Sequence, residues 1–507
     1  MSESLLAIDI GATGIKAGVF DTNGHVHAVA GRRNGPVPDT LGQPGWLVWD
    51  PEAVWNSVCE CIRECVAASD CDVRSIRAVA TTGFGADGLP MDAGGNPLYP
   101  FISWHCGRTA LQCEQIARSL GNENIFQITG YHNYPINTAN RLLWFRQKHP
   151  EILDKASTWL QVQDYIAFRL SGECATDCTI ASTTMLLDGS RRDWSDTMLH
   201  AAGVDRDLLP PLRESGTSIG RITAEAAAQT GLSRNTQVIT GGHDCEIGVL
   251  GAGVSDPQTF IDISGTWEIL IALSNNFDPK PDHYIQGLDF ECHAVPGQWI
   301  CQSLMIAGGV MEWIRDKFYA HLPEGEVYAA MIAEANVPSR DIYVLPSFMR
   351  GMGPDASRHA TGTILGLTTA TTRGQIVRAA FEGLCFQLRQ QTQALSAATG
   401  KVARKLRVIG GGQKNPLWMQ MKADTTGLPV EITQHPEVTL LGAAILAGVG
   451  AGLYSSAHDA MRQIPCHCTL FEPEATAAAQ YADRFTDVYA RLATDLQHAN
   501  EAIARHA

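Results

Sequence analysis

Asp9-Ile10-Gly11-Ala12-Thr13 near the start of the chain and Asp262-Ile263-Ser264-Gly265-Thr266 at its middle are near copies, and their reading decides the fold. Each ends an apolar, β-prone run and leads into another, so each predicts a strand, a tight turn and a returning strand. Small turn residues let backbone N–H groups and a Thr hydroxyl approach an anion closely. One D-x-G-x-T alone is an ordinary hairpin turn. Two of them, about half a chain apart, predict a duplicated α/β unit in which each copy lends an anion-holding hairpin to one cleft.

At 507 residues the chain exceeds a single core and suits two large domains, read here as 1–254 and 255–507. Hydrophobic content of 45%, charged content of 18% and 48 glycines describe a turn-rich α/β protein. A formal charge of −15 argues against nucleic acid, because a phosphate backbone needs clustered Lys and Arg. A polyphosphate ligand would then be held by backbone amides and a divalent cation. Asp9 and Lys16 interrupt the N-terminal apolar stretch, so no signal peptide is read, and the 14 cysteines are expected as free thiols in a reducing cytosol. Cys59, Cys61 and Cys65 lie close in sequence, as do Cys466 and Cys468, but no C-x-x-C pair occurs and no metal site is read from them. Val438 to Tyr454 carries no charge, yet its Gly and Ala residues suit a tightly packed helix better than a membrane span.

Leu5 to Ile10, Ile15 to Phe20 and His25 to Ala30 predict a three-stranded meander. A helix from Glu52 to about Ala68 follows, with Asp50 as N-cap and Pro51 at its first position. Ile76 to Thr82 predicts a strand delivering Gly83-Phe84-Gly85-Ala86-Asp87-Gly88, and loops at strand ends are where ligands of α/β sheets sit. Helices are expected over Asn140 to His149 and Leu160 to Leu170, and a short strand over Gln237 to Thr240 leads into Gly241-Gly242-His243-Asp244. In the second half, Trp299 to Phe318 reads as a helical stretch containing Gly308-Gly309. Ile342 to Pro346 reads as a strand into a loop, Ser347 to Asp355, suited to the rim of a cleft. A long helix is expected from Thr371 to about Ser396, and Lys405 to Ile409 is a strand running into Gly410-Gly411-Gly412-Gln413-Lys414-Asn415-Pro416. Those three glycines form a surface on which a nucleotide can lie; the segment lacks the G-K-[ST] of a P-loop and the G-x-G-x-x-G of a dinucleotide fold.

Asp244 is the strongest catalytic candidate. An Asp after a strand and two glycines is often a helix N-cap and nothing more. Just upstream of the second hairpin, however, its carboxylate would reach the cleft floor and could take a proton from an attacking hydroxyl. His243, one residue back, reads as its packing or orienting neighbour. Trp104 could stack on the apolar face of a sugar and Arg108 donate to its hydroxyls; a core Trp and a surface Arg are the plainer alternative.

The Asp9 hairpin, the Gly241 to Asp244 turn, Ser264-Gly265-Thr266, Arg378-Ala379-Ala380-Phe381-Glu382-Gly383 and the Gly410 to Trp418 segment together resemble the FGGY carbohydrate kinases, relatives of actin and hexokinase. The resemblance covers nearly the whole chain. It implies duplicated actin/hexokinase-like (ribonuclease H-like) α/β domains flanking a deep cleft. It also implies an ATP- and Mg²⁺-dependent kinase acting on a small ketose, cytoplasmic and a homo-oligomer, a dimer, with no nucleic-acid or membrane partner. Within the family, Thr82 to Gly88, Tyr99 to Cys106 and Ser264 to Leu270 are most similar to the fuculokinase branch, so L-fuculose is the expected acceptor, with L-rhamnulose, ribulose and xylulose as alternatives; a non-catalytic sugar or nucleotide sensor is the alternative of another class. The resemblance implies Asp244 as general base and Asp9 and Asp244 at Mg²⁺. Gly11, Thr13, Ser264, Gly265 and Thr266 would lie around the ATP phosphates, Gly309, Gly411, Gly412 and Asn415 along the nucleotide, and Asp87, Gly88, Trp104, Arg108 and His243 about the sugar. Cys245 stands where Thr is expected after the base, and Ala86 and His105 depart from the pattern beside the sugar.

Overall fold

The computed structural model describes residues 3–339, 341–348 and 360–506, so residues 349–355 of the expected rim loop lie outside the described residues. Strands β1 (Ser4–Ile10), β2 (Gly14–Asp21) and β3 (Val26–Arg33) form the expected antiparallel meander. Helix α1 (Pro51–Ala68) follows; the Asp50 carboxylate caps it, accepting from the Glu52 and Ala53 amides. Strands β4 (Ile76–Gly83), β5 (Ser218–Arg221) and β6 (Gln237–His243) complete a six-stranded sheet of order β5-β6-β4-β1-β2-β3. Between β4 and β6 lie α2 (Thr138–Lys148) and α3 (Val162–Ser171), and α4 (Asp244–Gly251) leaves β6 directly.

The second half repeats the plan. Strands β7 (Thr259–Ser264), β8 (Trp267–Ser274), β9 (Leu288–Cys292), β10 (Trp299–Ile306), β11 (Lys405–Ile409), β12 (Val430–Thr433) and β13 (Cys468–Phe471) are ordered β9-β10-β8-β7-β11-β12-β13. In both sheets a meander is continued by two parallel strands and an antiparallel edge strand, which is the duplication the paired hairpins predict. Helices α5 (Gly308–Phe318), α6 (Arg373–Thr399), α7 (Pro416–Thr426) and α8 (Val438–Gly450) belong to this half.

Alternation along β1 shows how each sheet is covered. Leu6, Ile8 and Ile10 face α1 and α3, whereas Leu5 and Ala7 face α4 and α8. Helix α4 sits between the sheets: Ile247 and Leu250 pack with the first, Val249 on Ile261 and Ile271 of the second. Helix α8, although encoded late, packs under the first sheet beside α4, with its small residues permitting the approach. It is buried by protein, and among the described residues no helix is long and apolar enough to cross a membrane.

Two expectations need correction. The Trp299 to Phe318 stretch is not one helix: it splits into β10 and α5, because the apolar run is paired over its whole length with β8, from Trp267 opposite Ile306 to Ser274 opposite Trp299. A strand covered on both faces loses its alternation and is not told from a helix by period. Strand β6 also runs on to His243. A Cβ on Gly241 would lie 1.8 Å from the Thr81 carbonyl oxygen, so the glycines let β6 close onto β4 through an irregular step in register.

Candidate active site

Register gathers the first set of candidates. Asp9 and Gly242 both stand opposite Thr82, so β1, β4 and β6 end at one edge, where the Gly11 turn, the Phe84 to Asp87 loop and Asp244 leave the sheet. In the second sheet Ile263 stands opposite Ile409, which brings Ser264 and Gly410 to one edge. Helix α4 joins the two edges. Cys245 packs on the cluster that holds Ile263, and a Cβ on Gly248 would stand 3.3 Å from Ile409 Cδ1.

The two turns are built alike. The Gly11 amide donates to the Gly14 carbonyl at 2.9 Å, a Cβ on Gly11 would lie 2.8 Å from that oxygen, and Asn34 Nδ2 donates to the Gly11 carbonyl at 2.8 Å. Thr13 is exposed at the tip. In the second turn Gly265 and Thr266 are exposed, and their carbonyls accept from the Gly308 and Gly309 amides at 3.0 and 3.1 Å. Gly410, at φ 91°, packs on the Ser264 backbone; a Cβ on Gly412 would lie 2.3 Å from Ser264 Oγ. The Asn415 amide donates to the Gly412 carbonyl at 3.1 Å, and its side chain caps α7 by accepting from the Trp418 amide at 3.2 Å. The Ser264 to Thr266 turn is therefore flanked on one side by Gly308 and Gly309 and on the other by the Gly410 to Asn415 turn, with Ser264 itself buried beneath.

The matching aspartates have different surroundings. Asp262 is fully buried and ion-paired at 2.5 Å to Lys422, which also bonds Glu268 and reaches Ser264 Oγ at 3.3 Å. Asp9 has no such cation in contact: its Oδ1 is buried without a hydrogen-bond partner, and burial, then the nearby Asp244 charge, pushes its carboxyl up to about 8. Across the hairpin from Asp9, Lys16 pairs at 2.8 Å with Glu437, just ahead of α8. Asp244, at the first position of α4, keeps a 30% exposed side chain.

Behind Asp244 stands a relay. His243 Nε2 is 3.5 Å from Asp244 Oδ1, its Nδ1 is 2.9 Å from the buried Glu291 Oε2 on β9, and Gln302 on β10 bonds the other Glu291 oxygen. The His243 amide donates to Thr179 Oγ1 at 2.8 Å. Burial alone would push the imidazole pKa down, but Glu291 holds it well above its ordinary value. His243 thus positions Asp244 from behind. His243, Asp244 and Cys245 have ligand atoms within 4.8 Å of one another. They do not suit a soft metal: the imidazole is committed to Glu291, and burial pushes the Cys245 thiol up to about 12.

At the Phe84 to Gly88 loop, the carboxylate of Asp87 is buried between Trp49 Nε1 at 2.6 Å, the Trp104 amide at 2.9 Å and the Arg141 guanidinium at 2.7 Å. Trp104 is half-buried and stacks on His105 at 3.7 Å between ring centroids. Ala86 has φ 69°, and its carbonyl accepts from Thr138 Oγ1 and Arg141 Nη1 at 2.8 and 2.6 Å; a left-handed non-glycine residue held this firmly is typical of a functional loop. Gly88 faces inward, where a Cβ would lie 2.0 Å from Trp159 Nε1. Arg108 also faces inward: its guanidinium is buried against Asp39 at 2.7 Å, the Leu47 carbonyl at 3.2 Å and the face of Trp46. Gly88 and Arg108 therefore brace the loop from behind, while Asp87 and Trp104 stand in it.

Arg141, Glu291 and Lys422 were not singled out from sequence. Two of them carry a legible signal. Arg141 falls among Ala139, Leu142 and Phe145, and Lys422 among Met419, Met421 and Ala423, and a charge inside an apolar helical stripe needs a buried partner.

Residues 4–251 match the N-terminal domain, and residues 263–451 the C-terminal domain, of the FGGY family of carbohydrate kinases. The chain is 34% identical over 475 residues to L-fuculokinase of Escherichia coli (strain K12), covering 93% of this chain and 98% of that protein. It is 30% identical over 524 residues to autoinducer-2 kinase of Yersinia enterocolitica, covering 97% of each. Xylulose kinase from Rhodospirillum rubrum has the same fold, with a TM-score of 0.87 at 24% identity over 98% of this chain and all of that one. Two matching hairpins at the edges of two matching sheets, with the partly exposed Asp244 at the start of the helix that joins them, agree with that likeness along the whole length, and the chain belongs to the FGGY family of carbohydrate kinases.

Proposed function

We propose that this kinase transfers the γ-phosphate of ATP to a terminal hydroxyl of a free ketose, with L-fuculose, giving L-fuculose 1-phosphate, as the acceptor that fits best. The observation that carries the reading is Asp244: a partly exposed carboxylate at the start of α4, backed by His243 and flanked by a second carboxylate, Asp9, whose buried Oδ1 has no hydrogen-bond partner among the described residues. Asp244 accepts the proton of the attacking hydroxyl, and the ketose is oriented from the Asp87 and Trp104 side. The Thr13 turn and the Ser264 to Thr266 turn hold the phosphates, and Gly309, Gly411, Gly412 and Asn415 border the adenosine. In this reading residues 1–254 bind the sugar and supply the first turn and the base, and residues 255–507 supply the second turn and the nucleotide surface.

An all-oxygen donor set containing an unpartnered buried carboxylate oxygen suits Mg²⁺, with Asp9 and Asp244 as the residues to hold it. Bound there, Mg²⁺ would neutralise charge on the phosphates. The protein is proposed as cytoplasmic and a homodimer. L-fuculose is favoured over other ketoses by the 34% identity to a named L-fuculokinase across both domains. The 30% identity to autoinducer-2 kinase supports a second reading, autoinducer-2 as the acceptor.

ADP release measured with L-fuculose, L-rhamnulose, ribulose, xylulose and autoinducer-2 separates these readings, and the highest kcat/KM is expected for L-fuculose. Asp244→Asn is expected to lower kcat by about 10³-fold, within the range of general-base loss, while ATP binding by calorimetry persists. Near-wild-type turnover of that variant would remove Asp244 from the chemistry, and ADP release that no sugar stimulates would favour a sensor.

A further inference from the structure

Cys466 and Cys468 flank His467 where the chain enters β13. Residues i and i+2 of an extended segment share one face, and these two Sγ atoms are 3.7 Å apart. Cys466 is exposed and Cys468 half-buried, whereas every other cysteine is half-buried or buried. The Cys466 thiol opens onto a cavity of about 390 Å³ that is also lined by His25, His435 and Met461, so a small thiol reagent can reach it. Arg407 places a guanidinium on the same sulfur, Nη1 donating to Sγ at 3.1 Å and to the Ala252 carbonyl at 2.7 Å. Cations beside sulfur are a feature of reactive cysteines. The Gln434 amide donates to the His467 carbonyl at 2.9 Å, which fixes the backbone between the two cysteines while their sulfurs already face each other.

We propose that Cys466 and Cys468 are a redox-active dithiol that closes to a disulfide by exchange with a low-molecular-weight disulfide such as oxidised glutathione. The Cys466 thiolate attacks one sulfur of the reagent, forming a mixed disulfide and releasing one glutathione thiolate. Cys468, its proton passed to solvent, then attacks Cys466 Sγ and expels the second. Two protein thiols are oxidised to one disulfide, and one glutathione disulfide is reduced to two glutathiones. Closure brings the sulfurs from 3.7 Å to about 2.0 Å and draws Cys466 away from the Ala252 carbonyl, 3.6 Å from it, where the chain crosses from α4 toward the second sheet.

The test uses the reduced full-length protein, desalted and incubated with oxidised glutathione, then analysed by intact mass and by mapping of non-reduced peptides. The wild type is expected to lose two hydrogens, in a peptide that holds both Cys466 and Cys468. Cys468→Ser, which keeps the attacking thiol and lacks the resolving one, is expected to gain one glutathione at Cys466. Cys466→Ser is expected to form no intramolecular disulfide. An unchanged wild-type mass, a disulfide mapped to another pair such as Cys178 and Cys292, or a Cys468→Ser protein that takes up no glutathione would each overturn the proposal. Wild-type mapping decides the matter even where a variant does not fold.

Discussion

Asp9 and Asp262 occupy the same place in the two hairpins, and their neighbours divide the labour between them. Lys422 neutralises Asp262 and Glu268 in a fully buried cluster, so the second copy is committed to holding its own sheet together. Lys422→Met, which leaves two carboxylates buried without their cation, is expected to lower unfolding stability by about 3–5 kcal/mol, read as a shift of the urea midpoint. Asp9 has no such partner and remains available to a ligand. Glu291 stands one step behind the proposed base: from β9, in the second half of the chain, it holds the imidazole that faces Asp244. Glu291→Gln keeps the shape and removes the charge. It is expected to reduce kcat on the order of 10- to 100-fold with KM for ATP unchanged, a split that steady-state kinetics resolves. Arg108 shows how far residue type alone leads. An Arg beside a Trp near a ligand loop suits a sugar contact, yet this one has its donors turned inward to Asp39, Tyr99 and a backbone carbonyl.

Among the elements, those with local punctuation were legible and those specified by pairing were not. Asp50 and Pro51 start α1, and Thr372 with Gln375 forms a capping box at α6; both were readable because a cap acts within four residues of chain. Strand β10 was not, because its apolar run is decided by β8, more than twenty residues away in sequence. The glycine turn between β11 and α7 was legible as a turn, but only the fold shows that it rests on Ser264. Gly412→Ala would drive a Cβ to 2.3 Å from Ser264 Oγ and 3.0 Å from Trp418. KM for ATP is expected to rise about tenfold, the equivalent of roughly one lost hydrogen bond, while KM for the sugar stays close to wild type.

At the scale of the whole molecule, the halves are tied by an exchange of helices. Helix α4 packs on both sheets, and α8 of the second half lies under the first. The two helices touch through backbone: a Cβ on Gly442 would lie 1.9 Å from the Ile247 carbonyl oxygen, and one on Gly251 1.8 Å from that of Val438. Gly442→Ala would push α8 off α4 and so displace Asp244 relative to the second hairpin. It is expected to cost about 1–3 kcal/mol in thermal unfolding and to lower kcat together with stability. A loss of stability with kcat intact would mean that the base does not depend on this contact.

The sequence by itself determined the duplication, the two hairpin turns and the carboxylate after the Gly-Gly strand, because each is written within a few consecutive residues whose conformational limits are intrinsic. Tertiary structure alone decided which aspartate has a buried cation for a partner, which arginine turns away from the loop and which helix closes the gap between sheets. Burial, electrostatic pairing and backbone approach depend on neighbours far apart in the chain, 160 residues for Lys422 and Asp262 and 421 for Lys16 and Glu437, and no local pattern encodes them.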